Sequence, residues 1–195
     1  TPIYITLNER NQLFEADLSA RPQLAIQRDI FVFQSVVGCR RGDLYKLTKN
    51  NIVNGILEYV QGKTRNQDPR TVRVPLNDVA KTILERYKDY DKGPLLPFIS
   101  EQKYNQAIKE AFRLAGLDRI VTVINPLTRQ PEQKFLYEVA TTHTARKTFI
   151  GNMYKKVKDP DLVSSVSGHK EGSKAFRRYR EIDDEMKQEL VHLLD

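Results

Sequence analysis

Between Pro22 and Gly38 the sequence crowds Leu24, Ile26, Ile30, Phe31, Phe33, Val36 and Val37 into one stretch. That content predicts a helix that is apolar on most sides, so the rest of the chain has to pack around it. Pro22 stands where a first helical turn tolerates proline, and Gly38 closes the run. The segment that follows, GCRRGDL at residues 38–44, sets Arg40 and Arg41 between two glycines beside Asp43. Two arginines at the exit of a buried helix are held in place by that helix.

A chain of 195 residues is about one domain long and can bury a substantial core. Lys and Arg number 32 against 25 Asp and Glu, a net charge of +7. That balance points to a polyanionic partner, nucleic acid first and a membrane surface second. No apolar run approaches the roughly 20 residues of a membrane-spanning helix, and no basic leader precedes a short apolar segment. The expectation is a soluble, cytoplasmic protein. Cys39 is the single cysteine and reads as a small buried side chain. Opening on Thr1-Pro2 without Met, the chain reads as a fragment of something longer.

Along the chain, residues 1–17 suggest a lead-in and a short helix. Ile56 to Val60 and Thr71 to Val74 read as the strands of a β-hairpin with a long basic tip, QGKTRNQDPR. Asn77 is a plausible N-cap for a helix that closes by Gly93-Pro94, and a second helix is expected from about Glu101 to Gly116. Both helices read as purely structural. Arg119 to Val123 and Gln133 to Tyr137 suggest a weaker second hairpin. A helix then opens at Thr141-Thr142-His143 and runs to about Lys156, with Thr142 able to cap it. A Pro160-led helix to Gly168, a short basic helix to Tyr179 and a last helix from Asp183 to Leu194 complete the chain. The fold class expected is α+β, mainly α-helical, with small β-hairpins on one side and the site between the helices.

His143 and Arg146 are spaced i, i+3 and face the same way on one helix. A guanidinium offers a planar fork suited to phosphate. On spacing alone, an equally weighted account has His143 capping the helix and Arg146 on a solvated face. His169 after Gly168 is a weaker signal still. Tyr179 stands among Arg177, Arg178 and Arg180, cations that favour its phenolate, although the chain has nine tyrosines from which to choose. The two histidines lack metal-ligand spacing and no carboxylate cluster lies near them, which leaves a metal-free, cofactor-free mechanism as the expectation.

In order along the chain stand GCRRGDL at 38–44, GKT at 62–64, HTAR at 143–146, GH at 168–169 and Tyr179. Each motif is common by itself; the ordered set resembles the catalytic domain of tyrosine recombinases of the phage-integrase family, most of all integrases of conjugative transposons and similar mobile elements. The resemblance runs from about Leu7 to the end. It implies that Arg40 and Arg146 grip the scissile phosphate, and the Gly-x-Arg register favours Arg40 over Arg41. Asp43 would buttress the arginines, and Lys63 would protonate the departing 5′ oxygen. His143 would assist proton transfer, His169 would hydrogen-bond the phosphate, and Tyr179 would attack to give a 3′-phosphotyrosine.

The same resemblance implies double-stranded DNA attachment sites as substrate, a homo-tetramer on DNA with C-terminal helix exchange, and accessory DNA-bending proteins. It also implies a nucleoid association in the DNA-bound state. Residues 1–195 would form the catalytic domain, and the family's N-terminal core-binding domain has no counterpart in this chain. The other cations, Arg70, Lys155 and Lys156 among them, are expected to meet DNA phosphates or solvent. A type IB topoisomerase-like nicking and closing enzyme, and a DNA-binding module without chemistry, are the competing readings.

Overall fold

A computed structural model describes residues 2–62, 70–157, 159–169 and 191–195. At its centre lies the expected apolar helix, α2 (Pro22–Val37), with proline in its first turn. Ile30, Phe31, Phe33 and Val37 are each no more than 1% exposed. Around α2 pack α1 (Leu7–Glu15), α4 (Asp78–Arg86), α5 (Glu101–Leu114) and α7 (Thr142–Val157). Phe31 meets Phe112 of α5 edge-on, with ring centroids 5.1 Å apart.

Local chemistry explains where these helices start. Thr6 and Glu9 form a capping box on α1. Asn77 accepts the Ala80 N–H at the head of α4, and Ser100 accepts that of Lys103 at the head of α5. Asp159 accepts from Asp161 and Leu162 at the head of α8 (Pro160–Ser167). Thr142, expected as a cap, is instead the first residue of α7, and its hydroxyl donates to Gln34 in the core. α4 ends at Arg86, short of Gly93, and the next residue, Tyr87, turns its hydroxyl to Asp29 at 2.6 Å.

The first hairpin is part of a three-stranded antiparallel sheet, β1 (Ile52–Val53), β2 (Ile56–Val60) and β3 (Thr71–Pro75), in that spatial order. Asn54 and Gly55 turn the chain between β1 and β2 with φ of 53° and 75°. Both central residues have positive φ, the geometry that matches strand twist in a two-residue loop. Leu57, Tyr59, Val72 and Val74 alternate into the core from β2 and β3. The second hairpin, β4 (Ile120–Ile124) and β5 (Pro131–Phe135), is followed directly by the short α6 (Leu136–Val139). The short basic helix and Tyr179, and all of the last helix before residue 191, lie outside the described residues, as does the hairpin tip at 63–69.

Candidate active site

α2 ends on Gly38 at φ +81°, the left-handed conformation that glycine adopts without steric cost. Glycine is needed here for a second reason: a Cβ would lie 2.2 Å from Phe149 of α7. The absence of a side chain lets α7 close onto the end of α2, and Arg146 reaches from α7 into that junction. Its Nη1 donates to Gly38 O at 2.8 Å and to Ser167 O at 3.0 Å, and the residue is 2% exposed. The guanidinium is therefore oriented by backbone carbonyls of α2 and α8 before any substrate arrives.

Gly168 caps α8 at φ +73° and turns the chain so that His169 comes to face Arg146. Arg146 Nη2 approaches His169 Nδ1 at 3.4 Å, and Ser167 Oγ lies 3.0 Å from the same nitrogen. A guanidinium only donates, so Nδ1 is the acceptor and the neutral ring carries its proton on Nε2. Burial, then the charges of Arg146, Arg40 and His143, push the His169 pKa down to about 3. His169 is thus a neutral hydrogen-bond donor at physiological pH. His143 is exposed on the first turn of α7, one turn before Arg146.

Arg40 precedes the short helix α3 (Arg41–Leu44) and is half-buried. Its Nη1 is buried and has no hydrogen-bond partner among the described residues. Arg41 points to other work: Nε lies 3.2 Å from Glu101, and its guanidinium covers the Tyr45 ring at 5.1 Å. Asp43 is buried and accepts the Gly62 N–H at 2.8 Å, which ties the end of α3 to the neck of the β2–β3 hairpin. Lys63, the next residue in sequence, and Tyr179 lie outside the described residues. Arg146 and His169 are in contact, and Arg40 and His143 lie near enough to act on His169 electrostatically.

Two supports were not read from the sequence. Gln34, fully buried on α2, donates to Cys39 O at 3.0 Å and accepts from Tyr104 and Thr142, both at 2.9 Å. It joins the loop that carries Arg40 to α5 and to the head of α7. α5 meets this network through Tyr104 as a structural support. Arg70, expected to meet phosphate or solvent, donates to His169 O at 2.8 Å. A glutamine inside an apolar stretch was the available signal for Gln34, since a buried amide has to find partners. Nothing local distinguished Arg70.

Guanidinium groups and a neutral imidazole are donor types that can bind a tetrahedral anion whose charge increases during reaction. No group of three His, Cys, Asp or Glu side chains suited to a metal ion occurs among the described residues. A family model described as the phage integrase family matches residues 4–186. The chain belongs to the phage integrase family. No curated protein sequence matches it at a significant level.

Solved structures share the family fold at low identity. XerA recombinase is 19% identical with a TM-score of 0.66, over 99% of this chain and 65% of that one. A λ integrase tetramer bound to a Holliday junction is 18% identical with a TM-score of 0.64, over 93% of this chain and 49% of that one. The Tn1549 transposon integrase in complex with circular intermediate DNA is 14% identical with a TM-score of 0.63, over 100% of this chain and 68% of that one. The chain thus spans about half to two thirds of the length of these relatives.

Proposed function

We propose that this chain is the catalytic domain of a site-specific tyrosine recombinase, the integrase of a mobile element, which cuts and rejoins DNA without metal or cofactor. The observation that carries the reading is the Arg40, Arg146 and His169 cluster, in which Arg146 and His169 are buried together and the buried Arg40 Nη1 has no partner among the described residues. Arg40 and Arg146 bind the non-bridging oxygens of the scissile phosphate, and His169 donates from Nε2. The Tyr179 oxygen attacks phosphorus and forms a 3′-phosphotyrosine while the bond to the 5′ oxygen breaks. Lys63 gives its proton to that oxygen, and His143 assists proton transfer at the exposed side. Reversal by the hydroxyl of another strand reseals the DNA.

Tyr59 lies within electrostatic reach of Arg40 and Arg146, and burial drives its phenol far above the ordinary tyrosine range. A phenol held neutral is a poor nucleophile, which favours Tyr179 among its arginines. Assembly as a tetramer on attachment-site DNA is part of the proposal, with exchange of the C-terminal helix, DNA-bending accessory proteins, and residence in the cytoplasm on the nucleoid. Leu193 and Leu194, 81% and 87% exposed, support such an exchange by having little to cover them. On the same reading, residues 1–195 form the catalytic domain. A nicked suicide substrate incubated with the protein is expected to trap a covalent protein–DNA adduct that Tyr179→Phe abolishes. Adduct persisting in Tyr179→Phe removes Tyr179 from its role, and the absence of any adduct with the unmodified protein removes the enzymatic reading.

A further inference from the structure

Between α1, α2 and α7 lies a cavity of about 320 Å³ whose wall includes Leu7, Val36, Phe149 and Met153. Arg40, Arg146 and His169 do not line it. Its charged residues are Arg10 and Lys156, and no carboxylate stands on the wall. The neutral polar groups there are engaged within the protein. Ser35 Oγ donates to Val32 O, Asn152 Nδ2 to Ile5 O and Thr148 O, and Thr148 Oγ1 to Thr144 O, while Asn77 Oδ1 accepts from Ala80 N–H. Arg10 differs. Its Nη2 donates to Asn11 at 3.0 Å on the exposed side, but its Nε is buried with no hydrogen-bond partner among the described residues. Burial disfavours the charged form of this guanidinium, and a buried cation is costly unless an anion meets it.

We propose that this cavity binds a small amphipathic carboxylate, with its apolar chain against Leu7, Val36, Phe149 and Met153 and its head on Arg10. Nε and a neighbouring Nη of a guanidinium present two parallel donors, the arrangement that takes both oxygens of a carboxylate. A single negative charge suits a wall that is largely apolar, and Lys156 adds a second cation beside it. The volume falls at the small end of the range of ligand pockets, about 300–1,000 Å³. Phe149 lines the cavity and also fills the space that a side chain on residue 38 would need. An occupant would thus sit one side chain away from the loop that carries Arg40. The proposal is independent of the recombinase reading.

The test uses decanoate and decyltrimethylammonium, which share an apolar chain and differ in the sign of the head group. Each is titrated, below its micelle concentration, into protein carrying carbon-13 at its methionine methyls. The chain has two methionines, so the Met153 signal is assigned by its disappearance in Met153→Leu. Decanoate is expected to shift that signal saturably, and decyltrimethylammonium to bind at least about 10-fold more weakly. Arg10→Gln should weaken decanoate by about 10–100-fold, the value of a hydrogen-bonded charge. The absence of a saturable shift with decanoate, equal affinity for the two amphiphiles, or unchanged decanoate affinity in folded Arg10→Gln overturns the proposal. If Arg10→Gln fails to fold by thermal melting, the comparison of the two head groups on the unmodified protein decides alone.

Discussion

Arg28 and Asp29, in the first half of α2, are 6% and 2% exposed, and partners within the protein surround both. Arg28 binds Asp29 at 2.8 Å and the carbonyls of Leu13 and Ala16, while Asp29 also takes Arg86 and the Tyr87 hydroxyl. At the other end of the same helix, the cationic groups Arg40 and Arg146 converge beside a histidine that burial keeps neutral, and Arg40 Nη1 has no partner among the described residues. A buried charge is costly unless paired. The first cluster meets that requirement with its own carboxylate and ties α1, α2 and α4 together. The second holds the Arg146 guanidinium through backbone carbonyls of Gly38 and Ser167, and Arg40 Nη1 is left without a partner among the described residues.

Breaking the two ends should have different signatures. Asp29→Ala removes the carboxylate between Arg28 and Arg86 and is expected to cost about 3–5 kcal/mol of stability in denaturant unfolding. Whatever fraction remains folded should cleave DNA at the normal rate. Arg146→Ala is expected to slow cleavage by about 10²–10³-fold, equivalent to about 2.7–4 kcal/mol. Arg146→Lys should recover little of it, because one ammonium cannot reproduce the planar group whose Nη1 holds Gly38 O and Ser167 O while its Nη2 faces His169 Nδ1. Single-turnover assays on both variants separate loss of chemistry from loss of fold.

Gln34 belongs to both worlds and sharpens the contrast. Gln34→Ala leaves Cys39 O without its amide donor, and leaves the Tyr104 and Thr142 hydroxyls without their shared acceptor. A loss of about 1–3 kcal/mol is expected, with a fall in cleavage rate and little change in DNA affinity. An unchanged cleavage rate in folded Gln34→Ala protein would confine Gln34 to stability.

The pH dependence carries the smallest effect. The folded-state pKa of His169 lies below its ordinary value, so its contribution to stability is present above about pH 6.5 and lost as pH falls toward 3. The slope from this one group is at most about 1.4 kcal/mol per pH unit. Melting curves of the unmodified protein and His169→Asn between pH 7 and 5 should converge as the pH drops.

Much of this arrangement was legible in the sequence where local signals carry it. The apolar density of residues 24–37, Pro22 and Gly38 gave α2, and Asn77 and Pro160 marked helix starts. Asn54-Gly55 between β-branched residues is the strongest short hairpin signal in the chain, yet it sits next to the polar run 48–51 and β1 is only two residues long. The α4 helix stops early because Tyr87 is drawn to Asp29, a contact made across 58 residues. In the site, the i, i+3 spacing of His143 and Arg146 was visible, but their surroundings were not. Arg146 finds Gly38 O across 108 residues and Arg70 finds His169 O across 99, and no window of local pattern contains either pair.

A prebuilt anion site of this kind requires His169 to be neutral and to donate from Nε2. Nitrogen-15 NMR of the imidazole rings in the DNA-free protein tests it most directly. His169 is expected to be the Nε2–H tautomer at pH 7 and to remain neutral down to at least pH 5. A protonation midpoint near 6.5, or the Nδ1–H tautomer, would contradict it.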